Sequence, residues 1–562
     1  HTKEALSIGE KYFSSIYLGG EPCIFTDLLN LLNEMRRFHE NPQELLQLMD
    51  GLIKNIADIA INFQDEYDYD LQLDIAQLMQ VSHQLKDFSA PSITKTDVHP
   101  EVHPGSIPSE LIDSAEKIIR FSKISKEKAD LFRHHLKQFK DFKTKPQKDD
   151  ILSSLSASIT PLFFEIYERV FKRVREENNT SKLYEMFLTY GFVDETLLYP
   201  EQIQTLYHLK LQETGDFTCP VFTTPEWLTQ IKLMHRDPSI NDYDLDYFDL
   251  FREMRKKGQV TDNQKKAYDQ DTSGRLNFEI SNMFKINHRL AYGHLQTYFP
   301  ILHSGMITKD LSKALVTKEA VNKILEDILA VDFSAFHREI FYSNPKMGIE
   351  KELITKAVFP DIILMPIYGA RGNMWQEISG HVRSSPGRFV LPIFTNENLE
   401  ELIIKLVGNF RWELCRTMMG SSWNDVTEKS LTSEYTDYIQ FYRRNKDLSD
   451  ATKEKLRLQI QRYSSTRDAF TSDYKIWIKY EFNGNMRLNK VVRSILYRHC
   501  PFEKSIRTKL ERQPIYNELA IPFNVARSKE AKELESRYRK LLVSSKVKDP
   551  EIEANLKFYK EQ

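Results

Sequence analysis

Two short apolar runs, FPDIILMPI at residues 359–367 and FVLPIF at residues 389–394, stand out from an otherwise helical sequence. Each run is bounded by Pro or Gly and is too short for a helix, so each predicts a β-strand. Elsewhere apolar residues recur at helical spacing over long stretches. The sequence therefore predicts a mainly α protein, with a multi-helical body and one small two-stranded β element.

The composition supports this fold class. The chain has 562 residues, which predicts two to four domains and a core that needs no disulfides. It contains 19 Gly against 34 Phe, 26 Tyr and 5 Trp, so tight turns are few and large apolar side chains are many. That balance favours packed helices over a glycine-rich β-sandwich.

Four segments follow from the periodicity and the proline content. Residues 1–89 predict an N-terminal unit of short helices that resembles a helical-repeat solenoid, although no fixed period is present. Residues 90–108 are Pro-rich and predict a linker, where we expect limited proteolysis to cut first. Residues 109–357 predict a helical domain, and residues 358–562 predict a second helical domain that contains the β element.

The charge distribution argues against nucleic acid or membrane as partners. The formal net charge is -2, so no global field would draw the chain to a polyanion. From Glu481 onward 18 basic residues face 11 acidic ones, which is +7 and leaves -9 for the first 480 residues. A solvated helical surface accounts for this asymmetry, and a basic partner-binding face is the alternative.

Cysteine usage and hydropathy indicate a cytoplasmic protein. The four Cys residues are far apart and form no C-x-x-C pair, which disfavours zinc knuckles, redox motifs and a disulfide framework. No apolar run is long enough to cross a bilayer, and no signal peptide is visible. The chain starts at His1 rather than Met, so we expect that the natural protein can extend further at its N-terminus.

Motifs for common enzyme classes are absent from the sequence. It has no P-loop, no dinucleotide-binding glycine motif, no H-E-x-x-H and no nucleophile elbow. We therefore expect no cofactor and favour a binding function over catalysis, while leaving the question of enzymatic activity open. A metal-dependent hydrolase, with a site assembled from dispersed His, Asp and Glu, is the alternative.

The segment DQDTSGRL at residues 269–276 resembles the start of a calcium-binding EF-hand loop. Asp269, Asp271 and Ser273 would supply ligands, and Gly274 would supply the sharp turn. Ile280 occupies the twelfth position, where a bidentate Glu is required. We therefore predict no high-affinity calcium site and favour a helix N-terminus after an acidic turn, with Ser273 as its cap. Weak binding of a divalent cation is the alternative.

The connection between the two predicted strands is the candidate functional surface. It is rich in Gly and carries polar and aromatic side chains, with Arg383 and Arg388 adding positive charge. Loops held by buried flanking elements are where binding residues concentrate. The candidate ligand- or partner-binding residues are Gly369, Arg371, Gly372, Asn373, Trp375 and Glu377. The alternative is a tight structural connection in which Trp375 packs into the core and Arg371 pairs with a local carboxylate.

Two stretches carry a family resemblance. Residues 278–303, which include FEISNMF, NHRLAYG and FPILH, and residues 368–377, YGARGNMWQE, resemble the large helical region found after a cyclic-nucleotide-binding domain in some spirochaetal signalling proteins. The resemblance covers roughly residues 270–510 and does not include the nucleotide-binding barrel itself. It implies an effector or scaffold portion of a signalling protein, and it assigns no catalytic residue.

These observations predict a non-enzymatic regulatory or scaffolding protein that binds another macromolecule. A protein partner is expected. A broad groove or an exposed apolar patch would favour this function, whereas a deep pocket where titratable groups converge would favour an enzyme.

Overall fold

The computed structural model describes residues 107–142, 149–196, 198–209, 218–238, 272–285, 301–302, 311–374, 387–463 and 465–561. The predicted N-terminal unit at 1–89 lies outside the described residues, as does nearly all of the predicted linker at 90–108. The described chain is mainly helical, which confirms the predicted class. It divides into two compact units.

The first unit contains helices and one short pair of strands. Its described part covers residues 107–187, 191–209 and 301–302 together with Leu311. Its elements are α1 (Ser114–Ser122), α2 (Lys126–Phe142), α3 (Asp149–Glu176), most of α4 (Lys182–Tyr190), β1 (Phe192–Val193), α5 (Pro200–His208) and β3 (Ile301–Leu302). Strands β1 and β3 pair in parallel.

An aromatic core holds this first unit together. Buried side chains recur along α3 at Ile159, Phe163, Ile166 and Val170, which is the spacing of one helix face. The ring centre of Phe192 lies 4.7 Å from that of Phe187 and 5.0 Å from that of Phe132. Burying aromatic rings of this size is a main contribution to core stability.

The second unit is built on a sheet. Its described strands are β2 (Val221–Thr223), β6 (Asp361–Tyr368), β7 (Asn373–Met374) and β8 (Arg388–Phe394), in the order β2-β6-β8-β7. Strands β2, β6 and β8 run parallel to one another, and β7 is antiparallel to β8. Every residue of β6 and β8 is buried. A parallel sheet covered on both faces requires such continuous apolar strands, which is why the sequence revealed them.

Helices and a hairpin complete the second unit. They are α6 (Thr224–Lys232), α7 (Thr272–Lys285), α8 (Leu311–Ala314), α9 (Lys318–Val331), the hairpin strands β4 (His337–Asn344) and β5 (Ile349–Ala357), α10 (Leu399–Met419), α11 (Leu431–Phe441), α12 (Asp450–Arg462), α13 (Thr466–Lys479), α14 (Lys490–His499), α15 (Lys504–Leu510), α16 (Pro514–Ser545) and α17 (Pro550–Glu561). The hairpin turns at Gly348, whose φ of +71° lies in the left-handed region.

The sheet structure is more extensive than the sequence predicts. The two-stranded β element is part of a larger sheet, because β2 joins β6 across 137 intervening residues, and the β4–β5 hairpin is a further sheet. Residues 357 and 358, between which the sequence predicts a domain boundary, both belong to the second unit. Helices α12 and α13 are separate, because the side chain of Ser465 caps a new N-terminus by accepting a hydrogen bond from the Asp468 amide.

Candidate functional site

The predicted binding connection crosses the carboxyl end of the parallel strands. Strand β6 ends at Tyr368, and the next amide, of Gly369, donates a hydrogen bond of 3.0 Å to the carbonyl of Phe394, the last residue of β8. The chain then passes to the far side of β8, where β7 runs antiparallel to it. In open α/β sheets, ligands bind outside this end of the strands. We call residues 369–373 the crossing connection.

Within the crossing connection, Arg371 and Asn373 present polar groups. The Arg371 side chain is exposed. Asn373 is half-buried, and its Nδ2 is a buried donor without a hydrogen-bond acceptor among the described residues. The guanidinium of an exposed Arg offers a planar donor set that fits a carboxylate. Trp375 and Glu377 lie outside the described residues.

The glycines of the crossing connection serve packing. A Cβ at Gly372 would lie 2.6 Å from Leu406 Cδ1, 2.8 Å from Leu402 Cδ2 and 2.9 Å from Leu391 Cδ2. Such distances are shorter than carbon atoms tolerate, so the missing side chain lets this backbone lie against α10 and β8. Gly369 is buried, and its amide holds the end of β8. Both glycines anchor the connection that displays Arg371.

Further polar side chains that the sequence analysis missed lie at the same edge of the sheet. Thr223, at the end of β2, donates its amide to Glu226 at 2.7 Å. The Glu226 carboxylate also lies 2.6 Å from Nζ of the buried Lys318. This ion pair links the N-terminus of α6 to the N-terminus of α9. At the end of β6, the Tyr368 hydroxyl accepts a hydrogen bond of 2.6 Å from Asn396 Nδ2, and burial raises the pKa of Tyr368. These residues are scattered from 223 to 396, so only the parallel register places them at one edge.

Positive charge at the crossing connection is smaller than the sequence implied. Arg388 is buried at the opposite, amino end of β8, where it donates a hydrogen bond of 2.7 Å to the carbonyl of Asp237. Its guanidinium carbon lies 5.0 Å above the ring of Trp227. Nearby, the buried Asp361 binds Arg236 at 3.1 Å, and burial raises the pKa of this carboxyl. Arg388 is therefore a structural residue.

A buried polar cluster joins α9, α10, α13 and the end of α14. Asp332 accepts hydrogen bonds from Tyr474 at 2.7 Å and from Ser334 at 2.9 Å, and lies 3.3 Å from Arg411. Arg411 also donates to Cys500 Sγ at 3.2 Å. Burial raises the pKa of the Cys500 thiol to about 12, so this thiol stays protonated and unreactive. The cluster is internally satisfied, and its role is structural.

The EF-hand-like segment is described only from residue 272. Asp269 and Asp271 lie outside the described residues, and Ser273 is exposed in the first turn of α7. Glu279, the nearest carboxylate to the twelfth loop position, is fully buried and accepts a hydrogen bond of 2.6 Å from Trp227 Nε1. The Glu279 carboxylate is therefore bound to Trp227 inside the protein.

The described residues contain neither a metal-binding cluster nor a membrane-spanning helix. No group of three or more His, Cys, Asp and Glu side chains within them could hold a metal ion. No helix in the described part of the chain combines the length and apolar character that crossing a membrane requires.

A small cleft lies in the first unit. It is lined mainly by apolar side chains, with Ser114 and Glu195 as its polar members. The Ser114 hydroxyl donates a hydrogen bond of 2.9 Å to Glu195, and burial raises the pKa of Glu195. The enclosed volume is about 10 Å³, close to that of a single water molecule, so this cleft is too small for a ligand site.

Comparison with known proteins identifies one region. Residues 420–559, which run from the end of α10 into α17, match the family model described as Domain of unknown function (DUF8509). The match spans about a quarter of the chain and excludes the crossing connection. No curated protein and no solved structure matches the chain.

Proposed function

We propose that this chain is a non-enzymatic regulatory or scaffolding protein that binds a protein partner through the crossing connection. The observation that supports this proposal is the exposed Arg371, presented at the carboxyl edge of the sheet between two strands in which every residue is buried. A rigid scaffold that displays a polar connection is the usual arrangement of a binding surface.

The chemistry of the connection favours an acidic group on the partner. Arg371 supplies a planar donor set at the surface of the connection. A carboxylate from Asp or Glu matches this donor set. Arg is also among the residues that contribute most to binding at protein interfaces.

Other functions have less support. The hydrolase alternative needs converging ligands, and the buried carboxylates Asp332, Asp361 and Glu481 are each occupied by an Arg of the chain itself. A role as the effector part of a signalling protein rests on the sequence resemblance alone. A cytoplasmic location likewise rests on the cysteine usage and the hydropathy of the sequence.

The test uses a photo-crosslinking residue, p-benzoylphenylalanine, placed at position 371 in the full chain. The same residue at position 512, another exposed Arg, serves as the matched control. In an extract of the native source, we expect a crosslinked protein at position 371 that is absent at position 512. The captured protein is then purified and its affinity is measured with Arg371→Ala and Arg512→Ala.

We expect Arg371→Ala to weaken binding by about 10- to 100-fold. Because the side chain is exposed, its contacts within the chain contribute at most about 1 kcal/mol, so the melting temperature should change little. Arg512→Ala should bind as the unmodified chain does. The proposal fails if position 371 captures nothing specific, or if the two variants bind the purified protein equally.

A further inference from the structure

The end of α16 and the turn that follows it concentrate positive charge. Residues 536–548 contain five basic residues and no carboxylate. One of the five, Arg537, is ion-paired with Glu352 of the β4–β5 hairpin. The other four are exposed and form no ion pair with any described residue; they are Arg539, Lys540, Lys546 and Lys548. We call residues 539–548 the basic tip.

Two aliphatic side chains of the basic tip are held in solvent. Val543 is 72% exposed, more than any other large apolar side chain in the described residues, and Leu542 is 40% exposed. Leu541 and Val547 pack instead against the small core between α16, α17 and the β4–β5 hairpin. Because these inner contacts fix the end of the helix, Leu542 and Val543 stay on the outside among the four cations.

The carboxylates that flank the basic tip along the chain are already bound. Asp549, on one side, is buried and accepts hydrogen bonds from Tyr342 and Asn344. Glu535, on the other side, lies 2.9 Å from Nζ of Lys560. The four cations are therefore available to an anion outside the chain. Cations at a helix C-terminus also offset the helix dipole, but that interaction needs no exposed aliphatic side chains among them.

Lys546 occupies a backbone conformation that suits glycine better. It directly follows the last residue of α16 with a φ of +56°, and its amide donates a hydrogen bond of 2.9 Å to the carbonyl of Leu542. Glycine is the usual residue at this position, because a side chain is unfavourable in the left-handed region. Replacement of Lys546 by Gly therefore removes the charge without a loss of backbone stability, which separates binding from folding.

We propose that the basic tip binds the surface of a membrane that contains anionic phospholipids. The lipid phosphates attract the four cations, and Leu542 and Val543 enter the boundary between headgroups and acyl chains. The formal net charge of -2 predicts no attraction of the chain as a whole to such a surface. Charges further away than about 8 Å are screened at physiological salt, so the local charge of the tip decides the contact.

The composition of the basic tip favours lipid over other acidic partners. Three of its four unpaired cations are Lys, a residue that is depleted at protein–protein interfaces. Nucleic acid binds through phosphate contacts, base edges and aromatic stacking, to which the aliphatic Val543 contributes nothing. Basic side chains beside exposed apolar ones are typical of helices that bind the membrane interface.

Four cations predict weak, reversible binding. Each basic residue near an anionic surface strengthens binding by about fivefold, so four give a partition constant on the order of 10³ M⁻¹. Co-sedimentation of the full chain with phosphatidylcholine vesicles that contain about 30% phosphatidylserine measures this constant. We expect binding that weakens as salt is added, and no binding to vesicles of phosphatidylcholine alone.

Substitutions test the two parts of the contact. Lys546→Gly should weaken binding about fivefold without lowering the melting temperature, and adding Lys548→Gln should bring the loss to about 25-fold. Val543→Ser keeps the charge and should weaken binding by about threefold to tenfold. The matched controls are Lys446→Gln and Val426→Ser, since both residues are exposed and lie outside α16.

Several results would overturn the proposal. They are no binding to the phosphatidylserine vesicles at low salt, equal binding to phosphatidylcholine alone, no effect of Lys546→Gly or Val543→Ser, and equal weakening by the controls. The same variants are tested with a single-stranded oligonucleotide in place of the vesicles. Oligonucleotide binding that Lys546→Gly weakens, in a chain that leaves the vesicles unbound, would identify nucleic acid as the partner instead.

Discussion

Glu481 shows how one residue can organise a whole region. It is fully buried and accepts hydrogen bonds from the amides of Arg487 and Leu488, at 2.6 and 2.7 Å. Arg493 binds the same carboxylate at 2.7 Å, and the Tyr516 hydroxyl donates to it at 2.5 Å. These contacts fix the start of α14 and the start of α16 to one carboxylate, and they satisfy its negative charge inside the protein.

Replacement of Glu481 by Gln should be strongly destabilising. The amide keeps the size of the side chain but leaves the buried Arg493 guanidinium without its counter-charge, which costs about 3–5 kcal/mol. Urea unfolding followed by circular dichroism measures this change. Glu454→Gln is the control, because Glu454 pairs with Arg457 at the surface. Its replacement should leave the free energy of unfolding without a measurable change. Equal effects of the two substitutions would contradict this account.

The surroundings of His337 strongly lower the pKa of its side chain. Burial, with the positive charge of Arg411 as a smaller cause, lowers the pKa of His337 to about 4. Its ring stacks on Phe558 with the ring centres 4.4 Å apart. The folded protein therefore favours the neutral imidazole, whereas the unfolded chain protonates near pH 6.5.

This difference predicts acid sensitivity. The stabilisation is fully present above about pH 6.5 and is lost as the pH falls towards 4, because the unfolded state binds more protons in that window. The total loss from this one group is about 3 kcal/mol. The free energy of unfolding should be measured from pH 8 to pH 4. Its fall with decreasing pH should be shallower for His337→Gln than for the unmodified chain. An unchanged slope would show that His337 does not carry the effect.

The β4–β5 hairpin shows how an element depends on a distant one. Within the described residues its two strands pair only with each other, and α17 covers the edge of β5. Asn555 of α17 accepts a hydrogen bond from the Thr355 amide at 2.9 Å and donates to the Tyr538 hydroxyl at 2.6 Å. A side chain thus takes the place of a neighbouring strand, which protects an exposed edge from pairing with other chains.

Asn555→Ala should weaken this attachment. It leaves the Thr355 amide and the Tyr538 hydroxyl without these partners in a buried setting, at a cost of about 1–3 kcal/mol. Hydrogen exchange followed by mass spectrometry should become faster in β5 and remain unchanged in β6. Lys560→Ala is the control, since it removes only an exposed pair with Glu535 from the same helix. Faster exchange in both strands, or in neither, would contradict the local role of Asn555.

At the scale of the whole molecule, the two units do not follow chain order. The first unit includes residues 191–209, and after the chain has entered the second unit it returns at residues 292–311 before continuing to the C-terminus. Strand β3, described at residues 301–302, pairs with β1, which precedes it by about a hundred residues. A boundary placed by composition along the chain cannot detect such an exchange of segments.

The sequence by itself determined the helical class and the two strands β6 and β8, because periodicity and apolar runs are local properties that burial imposes on each element. It also located the connection that displays Arg371. The hairpin β4–β5 was missed, although Ile340, Tyr342 and Ile354 alternate with more exposed neighbours, since its strands also carry many charged residues.

Only the tertiary structure decided which groups meet. The pairing of β2 with β6, the inclusion of Thr223 and Lys318 at the edge of the sheet, and the burial of Arg388 away from Arg371 all depend on contacts between residues far apart in the chain. Such contacts depend on register and on packing between elements, which no local pattern encodes. For the same reason, the exposed face of α16 becomes visible only once its buried face has been assigned to α17 and the neighbouring helices.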